Sequence, residues 1–156
     1  MFKKVVVGGT FSSIHRGHRK ILEAALALGK AAVVGLTSDD FATRFRAEKV
    51  PPYAERKKNL VKFLDTIKKP YEIVEIKDSY GFATVDPQLD CIVVSEETLM
   101  RAEEINTIRF KKGLEKLTVV VVPLALAEDG RPISGQRISG GEIDLEGRLL
   151  KKKRFL

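Results

Sequence analysis

Apolar residues along the chain fall into short continuous runs that alternate with longer stretches of helical spacing. Largely apolar or β-branched runs at 3–7, 31–36 and 89–94 predict buried strands. Tyr71 to Ile76 alternates apolar and polar side chains, which is typical of a half-buried or edge strand. The final apolar run, Thr118 to Val122, predicts the last central strand. The pattern therefore predicts five strands.

The stretches between these runs predict helices. From Gly17 onward, apolar residues recur every three or four positions, and Gly29 follows the last of them as a C-terminal cap would. Gly113 ends a second, longer helical pattern. The predicted helices run from Gly17 to Leu28, through a short capped segment as far as Phe45, from Tyr53 to before Pro70, from about Glu97 to Lys112, and from Gly135 to Ser139.

Strands and helices that alternate in this order predict a doubly wound α/β domain. We expect a mostly parallel five-stranded sheet with helices on both faces, a Rossmann-like arrangement. The 156 residues fit one domain, predicted over 1–150 and followed by a basic tail at 151–156. Because ligands bind beyond the carboxyl ends of the strands in such sheets, the turn after the first strand is the expected place for chemistry.

Composition narrows the class of partner without choosing one. A formal charge of +7 suits either nucleic acid or small anionic ligands such as nucleotides and phosphorylated metabolites. A non-enzymatic RNA-binding module stays an alternative, although three Tyr and eight Phe offer few stacking platforms. No apolar stretch approaches the length of a membrane span, so we expect a soluble protein in the cytoplasm, with no membrane partner.

Both histidines of the protein lie in the turn after the first predicted strand, three residues apart at His15 and His18. If a helix begins near Gly17, the backbone amides of its first turn form an anion site that both imidazoles can reach. Gly17 leaves room for a phosphate close to the backbone. The sequence does not choose the charge state of the rings. Thr10, at the strand end, is expected to present its hydroxyl to an acceptor phosphate.

A second candidate anion site lies near the C-terminus. Ser134 precedes a short predicted helix, and Arg137 in the first turn of that helix carries a guanidinium suited to phosphate. A plain capping role for Ser134 is the alternative. The sequence therefore predicts two phosphate-binding places, one at each end of the chain.

The segment Gly8-Gly9-Thr10-Phe11 followed by His15-Arg16-Gly17-His18 resembles the H-x-G-H signature of the nucleotidyltransferase α/β superfamily. From about residue 3 to residue 147 the chain is similar to the archaeal type of phosphopantetheine adenylyltransferase. The resemblance implies that AMP passes from ATP to phosphopantetheine, which gives dephospho-coenzyme A and pyrophosphate in coenzyme A biosynthesis. Mg²⁺ is expected to arrive with ATP, with no dedicated protein ligand.

The same resemblance implies roles for individual residues. Ser134 and Arg137 match the second superfamily signature, I-S-S-T-[RK], whereas Gly135 and Gln136 depart from it. The expected catalytic residues are His18, His15, Thr10 and Lys49. The expected ATP-binding residues are Gly8, Gly9, Thr10, Phe11, His15, Gly17, His18, Ser95, Glu96, Thr98, Ser134, Gln136 and Arg137. The expected acceptor-binding residues are Thr10, Lys49, Asp78 and Tyr80.

Two rival functions share the same motifs. One is a transferase of the same superfamily that acts on a flavin, a nicotinamide nucleotide or glycerol phosphate. The other is a non-catalytic nucleotide-binding protein, which the altered second signature favours. The sequence leaves the oligomeric state open.

Overall fold

A computed structural model of the protein describes residues 1–44, 46 and 49–150. The predicted basic tail at 151–156 lies outside the described residues, and so does Phe45, where the second helix was expected to end. The strands are β1 Phe2–Gly9, β2 Gly29–Thr37, β3 Tyr71–Ile76, β4 Cys91–Ser95 and β5 Thr118–Val122. The helices are α1 Arg16–Leu28, α2 Asp39–Arg44, α3 Tyr53–Leu64, α4 Leu99–Lys111 and α5 Gly135–Ser139, and a 3-10 turn spans Gly81–Thr84.

The five strands form one parallel sheet in the order β3-β2-β1-β4-β5. The chain builds outward from β1 through β2 to β3, and then crosses to the other side of β1 for β4 and β5. This arrangement confirms the predicted α/β class. The direction of winding reverses between β1 and β4, which is where open sheets of this kind leave a ligand crevice.

Alternation along β1 explains why helices cover both faces of the sheet. Val5 and Val7 join a core cluster with Leu22 and Leu60, from α1 and α3. Val6 points the other way, into a cluster that includes Ala102 and Ile105 of α4. Fully burying a side chain such as Leu22 stabilises the fold by about 1.5–3 kcal/mol, so each face holds its helices firmly.

Two sequence-based predictions about strands need correction. Thr118 to Val122 was expected in the centre of the sheet, but β5 is an edge strand, and Val121 is 40% exposed. Its valines reflect contact with β4 rather than burial on both sides. The β4 strand begins at Cys91 rather than at residue 89, because the Asp90 carboxylate turns aside to accept the Lys3 and Lys4 amides at 2.8 and 3.0 Å.

The segment 123–150 packs on the start of α1 around a small apolar cluster of its own. The Arg16 amide donates to the Leu145 carbonyl at 3.0 Å, and the Arg16 guanidinium donates to the Leu126 carbonyl. Arg19 forms an ion pair with Glu146. These contacts fix α5 beside the first helix. Among the described residues, none of the helices combines the length and apolar character that crossing a membrane requires.

Candidate active site

The two histidines form a reciprocal cap at the N-terminus of α1. His15 is the N-cap residue, and its Nδ1 accepts the amides of Gly17 at 3.0 Å and His18 at 3.3 Å. In return, the Nδ1 of His18 accepts the His15 amide at 3.4 Å. The two rings stack with centroids 3.7 Å apart. A capping box normally pairs Ser or Thr with Glu or Gln, and here imidazoles take both places.

This cap determines which ring nitrogen carries a proton. A nitrogen that accepts an amide N–H must be unprotonated, so the proton of each neutral ring lies on Nε2. The Nε2–H of each ring is then the donor that it can offer to a ligand. The sequence alone did not give this tautomer, because it follows from the capping geometry.

Burial keeps both rings neutral at physiological pH. It lowers the pKa of His15 from 6.5 to about 4, and the charge of Arg19 adds to the shift. The pKa of His18 falls from 6.5 to about 3, first through burial and then through neighbouring His15, while the Ser13 carbonyl opposes the change. Neutral rings at pH 7 act as hydrogen-bond donors without adding positive charge.

The residues around the pair leave no space for larger side chains. A Cβ on Gly17 would lie 2.9 Å from the His15 ring, and a Cβ on Gly9 would lie 3.0 Å from the Phe11 ring. Phe11 adopts a φ of +48°, which is unusual for a residue with a side chain, and its ring meets His18 edge-on at 5.0 Å. The turn between β1 and α1 is therefore tightly packed around the two imidazoles.

Thr10 follows β1 directly and lies next to this turn, where a buried arginine organises its surroundings. The Arg56 side chain is fully buried, and its Nη1 donates to the Thr10 carbonyl at 3.0 Å and the Thr37 carbonyl at 2.9 Å. Its Nη2 forms an ion pair with Asp39 at 3.0 Å. A single guanidinium thus ties the ends of β1 and β2 to α3.

A cavity of about 200 Å³ opens beside Thr10, between the sheet and α4. Its inner walls are apolar and include Val6, Ile76 and Ile105. Polar and charged side chains line it as well, including Thr10, Arg46, Asp78, Tyr80, Thr98 and Arg101. The Arg46 guanidinium donates to the Thr10 hydroxyl at 3.1 Å. The cavity therefore combines an apolar interior with cationic and hydroxyl groups.

Several predicted site residues lie together on this cavity. They are Gly8, Gly9 and Thr10 at the end of β1, Asp78 and Tyr80 after β3, and Thr98 after β4. The Asp78 carboxylate accepts the amides of Tyr80 and Gly81, and the Tyr80 hydroxyl donates to Glu104 of α4 at 2.7 Å. Asp78 shapes its loop, and Tyr80 bridges that loop to α4.

The three predicted ATP-binding residues at the end of β4 and in the turn after it make local contacts. The Thr98 hydroxyl accepts the Ser95 amide at 3.1 Å, and the Ser95 side chain is buried. Glu96 accepts the Leu124 amide at 3.3 Å, which links the end of β4 to the chain beyond β5. Because Thr98 closes this turn, α4 begins at Leu99 and not at the predicted Glu97.

The second candidate anion site lies against the first. A Cβ on Gly135 would lie 3.2 Å from the Ser12 hydroxyl, so the start of α5 touches the β1–α1 turn. Ser134 caps α5 by accepting the Arg137 amide at 3.2 Å, and Gln136 is exposed. The Arg137 guanidinium pairs with Asp129 at 2.5 Å and Glu142 at 2.8 Å. These carboxylates raise the pKa of Arg137. The Arg131 amide, and after it the Arg137 guanidinium, lower the pKa of Asp129 to about 2.

Lys49 is exposed, and within the described part of the chain no hydrogen bond or ion pair holds its side chain. The sequence-based reasoning assigned Thr37, Arg46, Arg56 and Arg101 no role in the site. Thr37 is the last residue of β2, and Thr10 directly follows β1, so a threonine at the end of both strands is the signal that could have revealed it. No sequence pattern marks which of 28 cationic residues is buried, so Arg56 could only be found from the structure.

Metal ligands do not cluster in this site. Across residues 1–44, 46 and 49–150, no group of three or more His, Cys, Asp or Glu side chains is placed to hold a metal ion.

Comparisons with known proteins identify the family of the chain. A family model described as cytidylyltransferase-like matches residues 6–140. Phosphopantetheine adenylyltransferase of Methanothermobacter thermautotrophicus is 39% identical over 98% of this chain and 93% of its own length. The Pyrococcus abyssi protein of that name is 42% identical over 97% of this chain and 98% of its own.

A solved structure shares the fold of this chain. A crystal structure from Archaeoglobus fulgidus, described as a protein with unknown function, superposes with a TM-score of 0.70 at 38% identity. The match covers 76% of this chain and 88% of that one. The chain therefore belongs to the cytidylyltransferase-like family and, within it, to the phosphopantetheine adenylyltransferases of archaea.

Proposed function

We propose that this protein transfers AMP from ATP to phosphopantetheine, forming dephospho-coenzyme A and releasing pyrophosphate. The observation that carries the proposal is the pair of neutral imidazoles whose Nδ1 atoms cap α1, in the turn that follows Thr10. Thr10 lines the cavity, whereas His15 and His18 do not. The relatives that bear this activity in their names match nearly the whole chain. The cytoplasmic location remains a prediction.

The reaction needs positioning more than it needs an acid or a base. An oxygen of the phosphopantetheine phosphate attacks the α-phosphorus of ATP, a new P–O bond forms, and the bond to pyrophosphate breaks. The attacking phosphate ester is largely a dianion at pH 7, with a second pKa of about 6, so it has no proton to lose. The histidines are therefore assigned as donors. Their Nε2–H groups hold the phosphate oxygens while charge moves from acceptor to leaving group.

The cavity suits the other substrate. The pantetheine arm is a narrow chain of methylene and amide groups, which matches an apolar interior with a polar lining. Thr10 and Arg46 at one end are placed to receive the phosphate of that arm, and Asp78 and Tyr80 lie farther along it. Lys49, expected from the sequence to contact phosphate, is proposed as a further cation for this end of the substrate.

ATP occupies the opposite side of Thr10 in this proposal. His15 and His18 offer their Nε2–H groups to its phosphates, and Ser134 and Arg137 approach from α5. The first-turn amides of α1, which the sequence suggested as an anion site, already have acceptors: His15 Nδ1 for Gly17 and His18, and the Leu145 carbonyl for Arg16. Ser95, Glu96, Gln136 and the Gly9 to Phe11 turn border the nucleotide. Mg²⁺ enters as part of the substrate, bound to the triphosphate, and requires no protein ligand of its own.

The proposal is tested by incubating the protein with ATP, Mg²⁺ and one acceptor at a time and measuring the pyrophosphate that is released. Phosphopantetheine should give stoichiometric pyrophosphate and dephospho-coenzyme A. Flavin mononucleotide, nicotinamide mononucleotide, glycerol phosphate and unphosphorylated pantetheine should give none. Product from one of these acceptors alone would replace phosphopantetheine as the substrate. Calorimetric ATP binding without pyrophosphate from any acceptor would indicate a nucleotide-binding protein that does not catalyse transfer.

A further inference from the structure

The direction of the Thr10 hydroxyl is set by the groups around it. Its oxygen accepts a hydrogen bond from the Thr37 hydroxyl at 3.1 Å and another from the Arg46 guanidinium at 3.1 Å. A hydroxyl has two acceptor positions, and these two donors fill them. The Thr10 hydroxyl can then only act as a hydrogen-bond donor, and among the described residues no acceptor receives its hydrogen.

The Thr37 hydroxyl is oriented in the same way, one step farther from the cavity. Its oxygen accepts from Arg56 Nη1 at 3.2 Å, so its proton is directed to Thr10. Arg56 has no exposed surface and is fixed at its other nitrogens by the Pro51 carbonyl at 2.8 Å and by Asp39. Hydrogen bonds therefore run in one direction, from Arg56 through Thr37 to Thr10, and we call this series of hydrogen bonds the relay.

We infer that Thr37 and Arg56 are positioning residues that hold the Thr10 hydroxyl as a hydrogen-bond donor toward the acceptor phosphate. The inference rests on the proposed function, which places that phosphate at Thr10. Both threonine side chains are buried, at 7% and 8% exposure, so water competes little for these bonds. An oriented donor contributes to binding without the cost of reorienting when the substrate arrives.

Replacing Thr37 by Val removes the relay while keeping the side-chain shape. Arg56 Nη1 retains the Thr10 and Thr37 carbonyls as acceptors, so the variant is expected to fold. Its kcat/KM for phosphopantetheine should fall roughly 10- to 100-fold, the scale of one hydrogen bond to a charged group. Its KM for ATP should stay within about twofold of wild type. Thr37→Ser keeps the hydroxyl and should restore most of the loss.

Thr43→Val is the matched control, because this threonine bonds only within its own helix region, to the Asp39 and Asp40 carbonyls. It should behave as wild type. Equal kcat/KM for Thr37→Val and wild type would overturn the relay.

A double-mutant cycle with Thr10→Val separates positioning from general structural support. If Thr37 acts through the Thr10 hydroxyl, then Thr37→Val should cost little further activity once Thr10 is Val. Additive losses in the two variants would show that Thr37 supports the fold around the site instead. Thermal melts of all four proteins identify any loss that comes from unfolding.

Failure of the relay and failure of the proposed function give different results. An active wild-type chain with an unaffected Thr37→Val variant removes only the relay. If another phosphorylated acceptor alone gives pyrophosphate, phosphopantetheine is wrong, and the cycle is measured with that acceptor. A wild-type chain that turns over no phosphorylated acceptor overturns both.

Discussion

At the scale of single residues, each histidine uses its two ring nitrogens for different purposes. Nδ1 caps the helix, and Nε2 carries the proton that a phosphate oxygen can accept. His15→Ala and His18→Ala therefore remove a cap as well as a donor. Activity and folding have to be measured separately for these variants.

We predict that His18→Ala lowers kcat by roughly 10² to 10³, the loss typical of removing one preorganised donor to a developing charge. Binding of ATP, measured by calorimetry, should weaken much less. Lys20→Ala is the matched control, since Lys20 is exposed on the same helix. Unchanged kcat in His18→Ala would remove this imidazole from the mechanism.

The neutral rings also predict how stability depends on pH. Unfolded histidines take up protons near pH 6.5, whereas the folded rings do so only near pH 4 and pH 3. As the pH falls from 6.5 toward 4, the unfolded state binds more protons, so the free energy of unfolding must decrease. The slope contributed by each ring is at most about 1.4 kcal/mol per pH unit.

Urea unfolding of wild type and of His15→Asn/His18→Gln between pH 4.5 and 7 measures this effect. Asn and Gln keep side-chain acceptors at both capping positions but do not titrate. The wild type should lose stability toward acid pH more steeply than the variant. Parallel curves would mean that the histidines are charged, or are exposed enough to titrate normally, in the folded protein.

Sequence reasoning identified the chemical groups of the site but not their states. The spacing of His15 and His18 gave both residues, because motif and helix start coincide. Their tautomer depends on amide positions, and the buried pairing of Arg56 with Thr37 joins residues 19 positions apart. Such long-range contacts leave no periodic trace in the chain.

At the scale of elements, the C-terminal segment brings α5 to the turn that holds the histidines. Arg137 connects α5 to Asp129 and Glu142 and lies close to the proposed triphosphate site. A variant of Arg137 would therefore lose both its predicted contact with ATP and its ion pairs within the C-terminal segment. Variants of its partners can separate the two roles.

We predict that Arg137→Ala weakens ATP binding by on the order of 1.5–3 kcal/mol, as expected for a lost charge-assisted bond to phosphate. Asp129→Asn breaks an ion pair of Arg137 without removing the guanidinium, so ATP affinity should be retained. Calorimetric titration with ATP measures both variants. An equal loss in the two would assign the effect to the segment rather than to phosphate binding.

A second buried arginine holds the wall of the acceptor cavity. Arg109 of α4 is 1% exposed and donates to the carbonyls of Ala83, Asp86 and Glu115 at 2.7 to 2.9 Å. Burial lowers its pKa, and these carbonyls hold the charged group in place. They also join α4 to the loop that precedes β4.

We predict that Arg109→Met lowers the free energy of unfolding by about 3 kcal/mol or more, because buried carbonyls lose their partner. The exposed Arg101 on the same helix provides the control, and Arg101→Met should change stability by about 0.5 kcal/mol or less. Urea denaturation compares the two. Similar midpoints would show that Arg109 contributes little to the fold.

Most helices and strands were predictable, because the spacing of their apolar residues and their lengths both indicate the same type of element. The β5 strand was misplaced, since a run of valines looks the same in the centre of a sheet and at its edge. Strand order depends on which helices cover which face, and five residues cannot encode that information.

At the scale of the whole molecule, the proposed function puts its two substrates on either side of the turn between β1 and α1. The crossover between β1 and β4 opens the cavity, and the histidine cap lies at the adjoining helix start. The central claim is that the adenylyl group, and no other part of ATP, moves from one side of Thr10 to the other.

Following labelled phosphorus atoms of ATP into the products measures this transfer directly. The full chain is incubated with phosphopantetheine, Mg²⁺ and ATP labelled either at the α-phosphorus or at the γ-phosphorus. We predict that the α label appears in dephospho-coenzyme A and that the γ label appears only in pyrophosphate. The γ label in the acceptor product, or the α label released as free AMP, would contradict adenylyl transfer.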